Sequence, residues 1–132
     1  MKKRSYLAYI INNKVLLVRE SKDRSFKLPG GRSEKNETAA ECLLREISEE
    51  LSATVAPESL VLIGNYSYSY SGSNDCDTYI FGGKLNDEPQ VDGEEIAEYS
   101  WYNLGSKLPL SSQMETHVLP LLINGGYLNE QR

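Results

Sequence analysis

The run TAAECLLREISEEL, residues 38–51, follows Pro29-Gly30-Gly31 and constrains the fold more than any other segment. Ala40, Leu43, Leu44, Ile47 and Leu51 recur with helical period. Thr38, with Glu41 three residues later, makes a capping box at the start. On a helical wheel the apolar set fills one arc, and Glu46, Glu49 and Glu50 share a face about 100° wide turned away from it. Arg45 lies beside that face, on the same stripe as Glu41 and Glu37. Cys42 falls on the acidic face, where neighbouring carboxylates should raise its pKa.

Carboxylates one turn apart repel by about 0.2–0.5 kcal/mol per pair. These three also stand in the C-terminal half of the helix, where the dipole disfavours negative charge. A solvated acidic face is one explanation. A cation site is the other: Mg²⁺ takes oxygen ligands, commonly a few carboxylates with waters and substrate phosphates. The Gly-Gly turn just ahead would let backbone carbonyls come close to such an ion.

The segments around this helix read as strands. YLAYII and KVLLVRE are β-rich runs joined at Asn12-Asn13, a hairpin signal because Asn tolerates positive φ. SKDRS is a polar loop, FKLP a short extended piece, and Pro29-Gly30-Gly31 a sharp change of direction. SLVLIGNYSYSY and CDTYIFGGKL are strand candidates flanking the turn-like SGSND, and EIAEYSWYNL is another. Ser112 with Glu115 suggests a second capping box, opening a helix with Met114, Val118, Leu121 and Leu122 that Pro120 should kink or divide. About six strands and two helices in 132 residues predict a single domain, 1–132, of the α/β (α+β) class.

A net charge of −5 argues against nonspecific binding to nucleic acid or to an anionic membrane, both of which need clustered cations. A polyphosphate remains accessible through a bridging divalent ion. Cys42 and Cys76 show no CxxC spacing and read as free thiols in a reducing compartment. The apolar run after MKKRS is too short for a signal peptide, and nothing approaches the ~18 apolar residues of a membrane span. A cytoplasmic protein is expected. His117, the only histidine, reads as structural, and a Ser-His-Asp triad or a zinc-protease motif would ask too much of that one residue. Trp101 reads as a core or sheet residue.

The helical segment and its approach resemble the box of the Nudix hydrolases, G-x5-E-x7-R-E-U-x-E-E-x-G-U, with U a bulky aliphatic. Gly31, Glu37, Arg45-Glu46-Ile47 and Glu49-Glu50 occupy its positions over residues 31–53. Six of the seven fixed letters are present, a chance match on the order of one in ten million at a given start. Ser52 stands where the box has Gly, and Ala53 where it has an aliphatic. FKLPGG and EIAEYSW also resemble sequence flanking the box.

The resemblance implies an α/β/α sandwich with a mixed β-sheet. It also implies a pyrophosphohydrolase acting on a nucleoside diphosphate linked to another moiety, with Mg²⁺ as cofactor and Mn²⁺ as an alternative. By position, Glu46, Glu49, Glu50 and the Gly31 carbonyl would hold metal, with Glu46 the candidate general base. Arg45 with Glu37 would orient the acids. Glu94 or Glu95 is a candidate further ligand, against a reading as ordinary surface acids.

For substrate binding the candidates are Arg19, Lys27 and Tyr68. Arg19 and Lys27 are read against ordinary surface ion pairs. Tyr66, Tyr68 and Tyr70 would share one strand face, where they could stack a base or serve strand formation alone. Within the family, an 8-oxo-dGTP-like nucleotide is the first substrate guess and a dinucleoside polyphosphate the second. Tyr at position 68 leans away from ADP-ribose. A homodimer is open. The competing reading is a non-catalytic nucleotide-sensing module that acts through a partner protein.

Overall fold

The computed structural model describes residues 2–69 and 75–130. Strand β1 (Lys2–Ala8) and the short β2 (Ile10–Ile11) are one extended stretch interrupted at Tyr9, whose carbonyl accepts from the Leu16 amide at 3.0 Å. Asn12 and Asn13 both take positive φ, 52° and 62°, and turn the chain into β3 (Lys14–Glu20). That is the hairpin chemistry expected of the pair. Next come β4 (Gly30–Arg32), α1 (Ala39–Leu51), a 3₁₀ turn at Pro57–Ser59, β5 (Val61–Ser69), β6 (Asp75–Gly82) and β7 (Ile96–Tyr102). A π turn at Met114–Val118 runs into α2 (Leu119–Asn124).

The strands form two sheets, β4-β1-β6-β5 and β2-β3-β7. β1 and β6 are parallel and the other named pairs antiparallel, so the first sheet is mixed. Helices cover both sides. On one, Leu43, Ile47 and Leu51 of α1 pack on Leu7, Leu16 and Val18. On the other, Met114, Val118 and Leu122 pack on Tyr6, Val15, Leu17 and Ile80. The result is the α/β/α sandwich that the resemblance implied. Trp101 sits in the α1-side core, edge-on to Tyr9 at 5.5 Å between ring centres. Both cysteines are free and buried. Among the described residues no helix is long and apolar enough to cross a membrane.

Three local expectations change. Pro29-Gly30-Gly31 is less a turn than the entry to β4, which pairs antiparallel with β1 at Tyr6↔Gly30. Gly30 has φ +146°, and a β carbon there would lie 2.7 Å from the Tyr6 Cα, so the two strands meet only because position 30 has no side chain. The C-terminal helix is capped by Ser111 rather than Ser112: the Ser111 hydroxyl accepts from the Met114 amide at 3.2 Å. The π-to-α change comes just before Pro120, which has no N–H to donate backwards. Finally, the acidic face of α1 does not look outward. Glu50 and Cys42 are buried, and only Glu49 of the three acids is exposed.

α1 begins with the expected capping box, Glu41 N–H to the Thr38 hydroxyl at 3.1 Å and Thr38 N–H to the Glu41 carboxylate at 2.9 Å. It ends at Ser52 in the left-handed conformation, φ 49° and ψ 39°. Ala53 fills the core where a larger aliphatic was expected. A side chain at a left-handed position costs about 1–2 kcal/mol, partly offset by the chain entropy that Gly would lose. Ser52→Gly should therefore stabilise the protein by about 0.5–1 kcal/mol. Thermal unfolding should show Tm rising by roughly 2–5 °C, and an unchanged or lower Tm would show that the serine cap carries no strain.

Candidate active site

Arg45, in the middle of α1, gathers the acids. Its guanidinium forks onto Glu37, Nε to Oε2 at 2.6 Å and Nη2 to Oε1 at 3.0 Å, and Nη2 also donates to the Arg32 carbonyl at 2.9 Å. Nη1 reaches Glu49 at 3.2 Å and Glu46 at 3.5 Å. Glu34 lies 3.2 Å from Nε as well, so one side chain ties the loop after β4 to the helix and faces four carboxylates. The bond from Arg45 holds Glu37 below the usual carboxylate range.

Glu50 and Glu46 sit in drier surroundings than the exposed Glu49. Glu50 is 8% exposed, and Oε1 accepts from the Gly30 amide at 3.0 Å. Burial raises its pKa to about 8, against the downward pull of that amide and of Lys27. Burial also pushes Glu46 up, with Arg45 opposing and Glu49 and Glu95 adding to the rise. Glu95 acts on Glu50 in the same sense, so the loop before β7 does bring an acid towards this corner. For Cys42 the cause differs from the expected one: burial, ahead of the nearby carboxylates, raises its pKa. Its thiol donates to the Gly31 carbonyl at 3.4 Å and fills space beneath β4.

The corner suits a hard divalent cation. It offers carboxylate oxygens and the carbonyl of Gly31, with no soft donor beyond the protonated thiol. A β carbon on Gly31 would fall 2.6 Å from the Glu46 carboxyl carbon, so glycine keeps this space open. Among the described residues no three acids already converge on one point, and Glu46 and Glu49 lean instead on Arg45.

A cleft of about 340 Å³ is lined by Lys27, whose charge also acts on Glu50. Tyr6, Glu20, Lys27, Tyr68, Gln113 and Arg4 are among its walls. Two of the three expected substrate residues, Lys27 and Tyr68, are therefore brought together. The third, Arg19, is not: it pairs with Glu98 at 2.9 Å and donates to the Asp23 carbonyl. Tyr66 lies under the C-terminal helix, stacked on His117 at 4.5 Å, and its hydroxyl accepts from the Gln113 amide at 2.6 Å. Tyr68 meets His117 edge-on at 5.3 Å. Tyr70 lies outside the described residues.

Glu20 and Gln113 were missed from the sequence. Glu20 read as the polar end of a strand. No local signal marks Gln113, whose place depends on how the C-terminal helix docks on β5.

The comparisons with known proteins agree with this geometry. The family model for the NUDIX domain matches residues 1–117. The chain belongs to the NUDIX family. The human protein named 8-oxo-dGDP phosphatase NUDT18 is 30% identical over 118 residues, covering 83% of this chain and 34% of that one. Its zebrafish (Danio rerio) counterpart is 31% identical over 129 residues, covering 90% and 36%. The chain thus spans about a third of the length of these curated relatives. A UDP-X diphosphatase structure superposes with a TM-score of 0.80 at 23% identity, over 96% of this chain and 64% of that one, a likeness of fold.

The buried Glu50 gives this NUDIX domain a pH signature. The folded state keeps a proton that the unfolded chain releases near pH 4.5, so stability falls as pH rises from about 4.5 to about 8 and levels off above. Thermal melts without added metal should show this decline, and Glu50→Gln, which mimics the protonated form, should flatten it. Equal slopes for both proteins would mean that Glu50 ionises freely in the fold.

Proposed function

We propose that this NUDIX domain is a Mg²⁺-dependent pyrophosphohydrolase acting on a nucleoside diphosphate derivative, with an oxidised guanine nucleotide as first candidate and a dinucleoside polyphosphate as second. The observation that carries this reading is that Lys27 lines a cleft large enough for part of a nucleotide while its charge also acts on Glu50, in the oxygen-rich corner of Glu46, Glu49, Glu50 and the Gly31 carbonyl. The relatives named as 8-oxo-dGDP phosphatases support the substrate class by analogy.

The roles follow from the residues. Lys27 and Tyr68 line the cleft that takes the nucleotide, and Tyr68 offers a face to the base. Water adds to a phosphorus and the anhydride P–O bond breaks. The water's proton passes to Glu46, which burial makes a stronger proton acceptor than a free carboxylate. Arg45 and Glu37 keep the acids aimed through their fork. Glu46, Glu49, Glu50 and the Gly31 carbonyl would hold Mg²⁺, which would supply charge neutralisation at the phosphoryl oxygens and a more acidic water.

The test is hydrolysis of a nucleotide panel with Mg²⁺: canonical and oxidised di- and triphosphates, dinucleoside polyphosphates, nucleotide sugars and ADP-ribose. One class should be cleaved far faster than the rest, and Glu46→Gln should lower kcat by about 10²–10⁴-fold. If nothing is cleaved but a nucleotide still raises Tm, the domain is a sensor rather than an enzyme.

A further inference from the structure

The cleft holds a polar pair that the hydrolytic roles do not use. Glu20 and Lys27 meet at 2.7 Å, with their side chains 17% and 21% exposed. Lys27 is steered by more than this bond, since its ammonium lies 5.9 Å from the centre of the Tyr6 ring. Glu20 stands where the pairing of β3 with β7 shifts register, the kind of irregularity that re-aims a side chain. Burial alone would raise its pKa, yet Lys27, Lys22 and Arg4 together hold it below the usual range. The cleft therefore keeps a carboxylate, an acceptor without protons of its own, next to an ammonium, a donor without lone pairs.

We propose that Glu20 and Lys27 read the base, and that they select the 6-oxo, 2-amino edge of guanine. This rests on the reading of the cleft as a nucleotide site and names the base it prefers. Guanine presents, in a row, the O6 acceptor and the N1–H and N2–H donors. The two oxygens of Glu20 can take the two N–H groups side by side, while Lys27 meets O6. A carboxylate has about four lone-pair positions, so the bond to Lys27 leaves capacity for both.

Other bases fit less well. Hypoxanthine lacks the 2-amino group and leaves one carboxylate oxygen short of a donor. Adenine reverses the pattern at positions 1 and 6, setting its N6–H₂ where Lys27 also donates. In a half-buried site each unmatched polar group weakens binding, and a bidentate match sets the discrimination. An oxygen at C8 lies on the opposite edge of the purine, so 8-oxoguanine keeps the recognised edge. The domain should then bind guanine and 8-oxoguanine nucleotides alike through this pair, and reject both hypoxanthine and adenine.

A plainer role would have Glu20 only hold Lys27 ready for phosphate. The two roles separate in a calorimetric titration with dGMP, dIMP and dAMP, which carry no anhydride to cleave. If Glu20 reads the base, wild type binds dGMP at least about tenfold tighter than dIMP or dAMP. Glu20→Gln, checked for fold by circular dichroism, brings the dGMP/dIMP ratio close to one. Lys27→Met weakens dGMP and dIMP by the same factor, because both carry O6.

Equal binding of dGMP and dIMP by wild type overturns the proposal and needs no variant. A uniform loss across all three nucleotides in Glu20→Gln also overturns it, and leaves Glu20 as a support for Lys27. The hydrolysis panel separates this inference from the reading beneath it. Selective dGMP binding without hydrolysis would sink the enzyme and keep the base reader, and hydrolysis without a dGMP preference would do the reverse.

Discussion

The fork between Arg45 and Glu37 holds the candidate site together. The loop from Ser33 to Thr38 has few backbone bonds of its own, and its place over α1 depends on Arg45 gripping Glu37 and the Arg32 carbonyl. Both side chains of the fork are mostly covered, 25% and 17% exposed, so solvent screens it less than a surface pair. The same guanidinium faces Glu46 and Glu49. Without it, those acids would repel one another across the helix with Glu95 nearby, and the loop after β4 would lose its anchor.

Close approach is the second constraint. Gly30 lets β4 lie on β1, and Gly31 leaves space for the Glu46 carboxylate. Neither glycine is there for flexibility alone. Burial of Glu50 beneath the Gly30 amide then brings the acid end of α1 against the strand that precedes the loop. Lys27 follows Phe26, whose backbone bridges to Leu110, so one short segment touches both the acids and the wall of the cleft. The two halves of the site are coupled through residues 26–31 rather than through a long chain of contacts.

Much of this was legible in the sequence because it is local. The capping box at Thr38, the turn at Asn12-Asn13 and the apolar stripe of α1 are set by neighbours three or four residues away. The left-handed helix end at Ser52 falls where the box has Gly, a position the motif had already marked as a departure. What the sequence did not show has a different origin. The wheel turned Glu50 outward because it knows only α1, whereas β4 covers that side and buries it. Between a phosphate contact and a surface ion pair for Arg19 the sequence could not choose, because Glu98, the ion-pair partner, arrives from a strand 79 residues later. Glu20 and Gln113 depend on a register shift and on helix docking, which no short window contains.

The π turn at Met114–Val118 has a consequence for how this fold can be altered. It adds slack to the helix between the wall of the cleft, Ser111 to Gln113, and the residues that anchor α2 in the core. The wider turn takes up one extra residue, so removing a residue there would restore a plain α-helical winding and leave that wall facing nearly the same way. Val118 and Leu122 could stay seated meanwhile. In this protein the helix can lose a residue at the π turn without re-aiming the cleft, whereas a deletion in its plain α-helical part would turn the wall away.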